Sequence, residues 1–314
     1  MGRIIVGFGI NPEISFSFDE SDMSQKVPAK IAMDIAGTSV NVAFNLCQWG
    51  HKVKLLAAIG EECPYRDFLA RTLEKRGVAH HLFEAKERTS MAAVSLPHNG
   101  SRQERSKIFS DKPPYIKLPL TEIGDIVYGE IPDVVLATGV TPEESRMVHA
   151  MFDAAPEHAL KVLNPRHSLI TDTPLFEALL EKTTILAVNE DEFLSYVANH
   201  HVTFEEMARM HQLGPTIVLV TRDSRGAMLS IRNGCQIDQP VIKIGSMLDE
   251  VGAGDCFLAY FVHALLKHME MTYAMKFSAT AAGIKVTKIG GSNVPTKEEV
   301  ENSLHLIDLC QAAL

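Results

Sequence analysis

Cysteine is scarce and unpatterned in this chain. The five residues, 47, 63, 235, 256 and 310, include no CxxC pair. Such spacing argues against a zinc ribbon or a disulfide frame and reads as reduced thiols in a cytoplasmic protein. Long apolar runs are missing too. No stretch reaches the roughly 18 uncharged apolar residues of a membrane span. The apolar start at Ile4-Ile5-Val6 meets Asn11-Pro12 too soon for the core of a signal peptide. Basic residues are outnumbered, with 30 Lys and Arg against 39 Asp and Glu and a net charge of −9. That balance disfavours nucleic acid and anionic membranes as partners and leaves room for a local basic site. The GxxxxGK[ST] phosphate loop and the HRD and DFG motifs of protein kinases are absent. Gly7-Phe8-Gly9 begins a dinucleotide fingerprint, but Pro12 stands where its third glycine belongs, which argues against a dinucleotide oxidoreductase. The neighbours His80-His81 and His200-His201 point apart on a strand or a helix, so they make poor metal pairs.

What is present is a large core, with 46% hydrophobic and 22% charged residues in 314. Apolar strand-like runs at 3–9, 53–59, 133–138, 160–163, 184–188 and 216–221 alternate with helical stretches. Without repeats or low-complexity breaks, that alternation predicts one α/β domain over 1–314 with a doubly wound, mostly parallel sheet. Two segments, 12–36 and 88–112, do not fit the pattern. Ile14, Phe16 and Phe18 alternate with serines, and the turn His98-Asn99-Gly100-Ser101 is a hairpin signal. Both segments are expected to form one small β-sheet covering a site.

The chemistry gathers at Leu248-Asp249-Glu250-Val251-Gly252-Ala253-Gly254-Asp255-Cys256-Phe257, ahead of an apolar helix. Glycines at a helix start allow a tight turn, and the first-turn N–H groups with the helix dipole favour an anion, most often phosphate. Asp255 there is either a helix cap or a base taking a proton from a hydroxyl that attacks phosphorus. Asn189-Glu190-Asp191-Glu192, at the carboxyl end of one strand, reads as an acidic helix start favoured by the dipole, though so many polar residues there are unusual without a purpose. Asn11 and Glu13 lie just past the end of the first strand, where open α/β sheets gather ligands; a turn asparagine and a solvated glutamate are the plainer reading.

The string Asp-Glu-Val-Gly-Ala-Gly-Asp-Cys-Phe resembles the D-T-x-G-A-G-D-x-F signature of the ribokinase, or PfkB-type, carbohydrate kinase family, with Glu250 in place of Thr. Ala36-Gly37-Thr38-Ser39-Val40-Asn41-Val42-Ala43, followed by Gly50 and Gly60, is similar to the family's G-G-x-G-x-N-x-A motif, with Ala36 and Ser39 replacing glycines. Asn11-Pro12-Glu13 resembles its N-x-D pair, and Thr221-Arg222-Asp223-Ser224-Arg225-Gly226-Ala227 its T-x-G-x-x-G-A turn. The resemblance implies a ribokinase-like fold with a β-sheet lid, often a dimer interface, and ATP-dependent phosphorylation of a hydroxyl on a small sugar or sugar-like molecule. The alternatives are a nucleoside such as adenosine as acceptor, or a ligand-binding relative without catalysis. It further implies Asp255 as general base, with Gly252, Ala253 and Gly254 donating N–H groups to the phosphoryl oxygens. Asn11, Glu13, Gly37, Thr38 and Asn41 would hold the substrate. Asn189, Glu192, Thr221, Asp223, Gly226 and Gly254 would border ATP, with Glu192 reaching Mg2+ through water. Asp249, Val251, Val286 and Gly290 would hold a monovalent cation, usually K+, that raises activity. Many ribokinases have lysine where Thr38 stands, which weakens a phosphosugar as substrate unless Arg102, Arg105 and Lys107 supply the charge.

Overall fold

A computed structural model describes residues 1–18, 29–86, 88–96, 107–109, 118–197 and 199–312. The expected turns at 19–22 and 98–101, with Arg102 and Arg105, lie outside the described residues. The strands are β1 (Arg3–Phe8), β2 (Asn11–Phe18), β3 (Ala29–Ala36), β4 (Lys52–Gly60), β5 (Ala79–Ala85), β6 (Ala92–Leu96) and β7 (Lys107–Phe109). They continue with β8 (Val134–Val140), β9 (Leu160–Pro165), β10 (Ile185–Asn189), β11 (Ile217–Thr221), β12 (Ala227–Ile231) and β13 (Gln236–Gln239). The helices are α1 (Thr38–Gln48), α2 (Arg66–Lys75), α3 (Leu120–Glu130), α4 (Ser145–Ala154), α5 (His167–Ile170) and α6 (Thr173–Leu180). After them come α7 (Glu190–Val197), α8 (Phe204–Met210), α9 (Ala253–Leu266), α10 (Met271–Lys285) and α11 (Lys297–Ala312).

Nine strands form one sheet in the order β13-β12-β11-β10-β9-β8-β1-β4-β5. Only the β11–β12 and β12–β13 pairs run antiparallel. Buried side chains alternate between the sheet's two faces, as a strand's period of two requires. Ile4 and Val6 join Leu55, Ala57 and Leu136 against α1, α9 and α10. Ile5 and Phe8 join Leu56, Val135 and Ala137 against α3, α4 and α6. A helical layer therefore covers each face, and each fully buried Leu, Ile or Phe contributes roughly 1.5–3 kcal/mol. The chain runs outward from β1 through β4 to β5 and then returns to β1's other side with β8. That reversal opens a crevice at the carboxyl ends of β1 and β8, where doubly wound sheets bind ligands.

The two segments outside this pattern form a separate four-stranded sheet, β3-β2-β6-β7. β2 pairs antiparallel with β3 and parallel with β6. The expected joining of both segments in one small sheet therefore holds. Among the described residues no helix is long and apolar enough to cross a membrane.

Candidate active site

α9 starts at the glycine turn. Gly252 is its N-cap at φ 82°, a left-handed conformation that strains other residues. A Cβ there would also meet the Gly291 carbonyl oxygen at 3.0 Å. Helix geometry begins at Ala253, so Asp255 lies inside the first turn and is not the cap. Cys256 through Ala264 are all buried, which anchors this end rigidly in the core. Around Gly254 nothing lies within 4 Å of a would-be Cβ. The Ala253 N–H donates to the Glu250 carbonyl at 3.1 Å, closing the turn. Glu250 itself is exposed. Glutamate is therefore tolerated where the family motif has threonine.

α1 brings the second half of the site. Gly37, at φ 128°, is its N-cap, and a Cβ there would collide with the Gly9 carbonyl oxygen at 2.5 Å. The helix starts at Thr38, so Asn41 is not its N-cap. Asn41 is therefore one turn inside α1, where its Nδ2 donates to Asp255 Oδ2 at 2.8 Å. Its Oδ1 is buried without a hydrogen-bond partner. Ser39, standing for a family glycine, has a distinct task. Its Oγ accepts from the Gly9 N–H at 3.1 Å and shares a 3.0 Å hydrogen bond with Thr138 on β8. The Thr138 hydroxyl also donates to Thr38 at 3.2 Å. These bonds join the ends of β1 and β8 to the start of α1, at the reversal in strand order. Asn11 opens β2, and its Nδ2 donates to the Pro12 carbonyl at 3.2 Å. Glu13 is buried on β2, opposite Asp34 of β3. Ser292 donates to Asp34 and its carbonyl accepts from Arg76 at 2.7 Å, which ties the small sheet to the loop after α10.

Asn189 and Glu192 form a reciprocal cap on α7. The Glu192 N–H donates to Asn189 Oδ1 at 2.8 Å, and the Asn189 N–H donates to Glu192 Oε2 at 2.9 Å. Burial raises the Glu192 carboxyl above its ordinary value, against the Asn189 N–H and the charge of Arg166. Burial likewise pushes Glu144, which accepts from the Thr141 N–H at 2.7 Å, up to about 7. Arg166 itself follows β9 and is exposed, with Nε donating to the Gly139 carbonyl at 2.9 Å. A Cβ on Gly139 would lie 2.6 Å from Thr38 Oγ1 and 3.5 Å from the guanidinium, so Arg166 stands beside Thr38. Sequence reasoning passed over Arg166, although a charge directly after a parallel strand's carboxyl end was the available signal.

On the far strands, Thr221 ends β11 and Asp223 adopts φ 46°. That left-handed backbone explains glycine at this place in the motif, and aspartate tolerates it better than most residues. Gly226, at φ 89°, could not carry a side chain, since a Cβ would lie 2.0 Å from the Gln239 carbonyl oxygen. Arg225 pairs with Glu190, which links this turn to the start of α7.

Asp249 is buried. Its carboxylate accepts from the Val251 N–H at 3.1 Å and the Gly290 N–H at 2.8 Å. The Val286 carbonyl already accepts two N–H groups, from Leu248 at 2.7 Å and Asp249 at 3.1 Å. Gly290's carbonyl accepts from Asn293 at 3.2 Å. A separate cavity of about 590 Å³, lined by Met33, Asp34, Phe44, Phe68, Lys75 and Arg76 among others, includes none of the predicted site residues.

Comparison with known proteins adds three findings. A ribokinase of Arabidopsis thaliana is 32% identical over 140 residues, 43% of this chain and 36% of that protein. A bifunctional protein HldE of Coxiella burnetii is 24% identical over 275 residues, 86% of this chain and 56% of that one. The chain thus spans about half or less of the length of these curated relatives. Among solved structures, Arabidopsis thaliana ribokinase complexed with ribose and ATP superposes with a TM-score of 0.75 at 23% identity, covering 96% of this chain and 98% of that one. Phosphofructokinase-2 from Escherichia coli in complex with potassium gives 0.77 at 12% identity, covering 98% and 100%. Both share this fold. The model of the pfkB family of carbohydrate kinases matches residues 10–298, and the chain belongs to that family.

Proposed function

We propose that the chain transfers the γ-phosphoryl group of ATP to a hydroxyl of a small sugar or sugar-like acceptor, with Asp255 as general base. The observation that carries this reading is the Asp255 carboxylate, held by Asn41 in the first turn of α9, directly behind the left-handed Gly252. A carboxylate would repel a bound triphosphate, so its place at an anion-binding helix end fits proton transfer better than phosphate contact.

In the proposed step the acceptor O–H gives its proton to Asp255 as its oxygen bonds to the γ-phosphorus. The bond from phosphorus to the bridging oxygen breaks, and ADP leaves with that electron pair. The N–H groups of Gly252, Ala253 and Gly254 face the charge that grows on the phosphoryl oxygens. Gly37, Thr38 and Asn41, with Asn11 and Glu13 from β2, hold the acceptor. The buried Asn41 Oδ1, lacking a donor, is a ready acceptor for a small adjustment toward a substrate hydroxyl. Thr221, Asp223 and Gly226 border the nucleotide. Met247, Leu248 and Ile289, all exposed beside the glycine turn, offer apolar surface to the base. Glu192, with Asn189, fits Mg2+ held through water, because its buried carboxyl is an oxygen donor whose ionisation a cation would favour. When bound, that ion neutralises charge on the phosphates. Ile31 is 72% exposed on β3 and Met33 lies near it, which supports a homodimer through the small sheet.

The test is an ADP-release screen over sugars, sugar phosphates and nucleosides. One or more acceptors should raise ADP formation above the acceptor-free rate. A flat response across all classes would argue for a ligand-binding role.

A further inference from the structure

Lys285, the last residue of α10, has 0% of its surface exposed. A buried ammonium is costly unless fixed acceptors or opposite charges hold it. Its Nζ donates to the Lys288 carbonyl at 3.2 Å, inside the loop expected to present carbonyls to a monovalent cation. Its Cε lies 3.4 Å from the place a Cβ on Gly252 would take, so the stem packs directly behind the glycine turn. The charge also reaches the first turn of α9, where it opposes the rise that burial imposes on the Cys256 thiol. Lys288, the loop's other lysine, is turned away to Glu299 at 2.8 Å.

The expected ligands are already engaged within the protein. Val286's carbonyl accepts two N–H groups, Gly290's accepts from Asn293, and each Asp249 oxygen accepts one backbone N–H. A positive charge is nevertheless wanted there, because Asp249 and Asp255 flank a turn that would bind polyphosphate.

Resting on the kinase reading, we propose that the Lys285 ammonium is the built-in cation of this site, a positioning residue that braces the Gly252–Gly254 turn and makes potassium unnecessary. The covalent tether removes the entropy of capturing an ion and ties turn rigidity to α10.

The test compares wild type and Lys285→Ala in tetramethylammonium, potassium and methylammonium chloride at one ionic strength. It reads affinity for a non-hydrolysable ATP analogue and the thermal midpoint. Wild type should be indifferent to the cation in both. In tetramethylammonium the variant should bind at least about tenfold more weakly, the scale of one charge-assisted hydrogen bond. Potassium or methylammonium should restore most of the loss and raise the variant's midpoint. Potassium tightening wild-type binding several-fold would overturn the proposal. So would a variant that matches wild type in tetramethylammonium, or a loss that no cation restores. If the variant does not fold, the wild-type comparison still decides. If wild type binds no nucleotide under any cation, the kinase reading fails, and the midpoints alone judge Lys285.

Discussion

Asn41 and Asp255, separated by 214 positions in the chain, meet at 2.8 Å, with the amide of α1 donating to the carboxylate of α9. The bond fixes which oxygen of Asp255 is committed to the protein. Because Asn41 carries no charge, it orients the carboxylate through a hydrogen bond alone. Asn41→Asp would set two carboxylates at this distance, and one would hold its proton into a higher pH range. We expect the pH–rate profile to move upward and turnover near neutrality to fall by about tenfold or more. An unshifted profile would separate Asn41 from the proton transfer.

Arg166 stands beside Thr38, and its charge reaches Glu192 of the α7 cap. Its guanidinium is exposed, so Arg166→Ala should leave the thermal midpoint nearly unchanged. Loss of a cation facing transition-state charge should lower kcat/KM by roughly 10²-fold. Resolving the loss by acceptor class is informative: a larger loss with phosphorylated acceptors places Arg166 on the substrate, and an equal loss with all acceptors places it on the transferred phosphoryl group. Unaltered kinetics would remove it from the site.

Away from the site, His51 and His263 form a buried pair, 2.8 Å apart. His51 Nδ1 accepts from the Gly2 N–H, so its Nε2 carries the proton and donates to His263 Nδ1. Burial lowers His51 to about 4 and His263 to about 3. The unfolded chain takes up protons near 6.5 that the folded chain refuses, so stability present above that pH is lost as pH falls toward 4. Glu144 works in the opposite direction over about 4.5 to 7, since burial keeps its proton on in the fold. In a Glu144→Gln background, the urea midpoint should therefore fall steadily as pH drops from 6.5. Ring NMR signals of both histidines should stay neutral above pH 5; titration of either near 6.5 would contradict the pairing.

Most of the parallel sheet was legible because strands such as β1, β4 and β10 are apolar runs ended by glycine or asparagine. The small sheet was legible from the alternation of Ile14, Phe16 and Phe18 with serines. Three strands escaped. β5 carries two histidines and a glutamate on a sheet edge, and β12 and β13 return antiparallel around Asn233-Gly234 directly after a motif read only as a turn. At the site, Asp255, Gly252 and Gly37 were legible because a backbone constraint or a charge beside glycines leaves a mark in sequence. The bond between Asn41 and Asp255 was not legible, because an asparagine near a helix start is an ordinary cap and only tertiary structure supplies its partner. Lys285 was hidden for the same reason. A lysine ending an Ala-rich helix normally reaches solvent, and nothing local says that the helix end is buried.

The central claim is that Asp255 takes the acceptor's proton during phosphoryl transfer. Its most direct test is acceptor-dependent ADP formation by Asp255→Asn, measured beside wild type on the best acceptor in the screen. Asparagine keeps the size of the side chain and an oxygen to accept from Asn41, while losing the basic function. The account predicts unchanged thermal stability, ATP binding within a few-fold of wild type, and turnover lower by about 10²-fold or more. Wild-type turnover in that variant, at any pH where both proteins are folded, would contradict it.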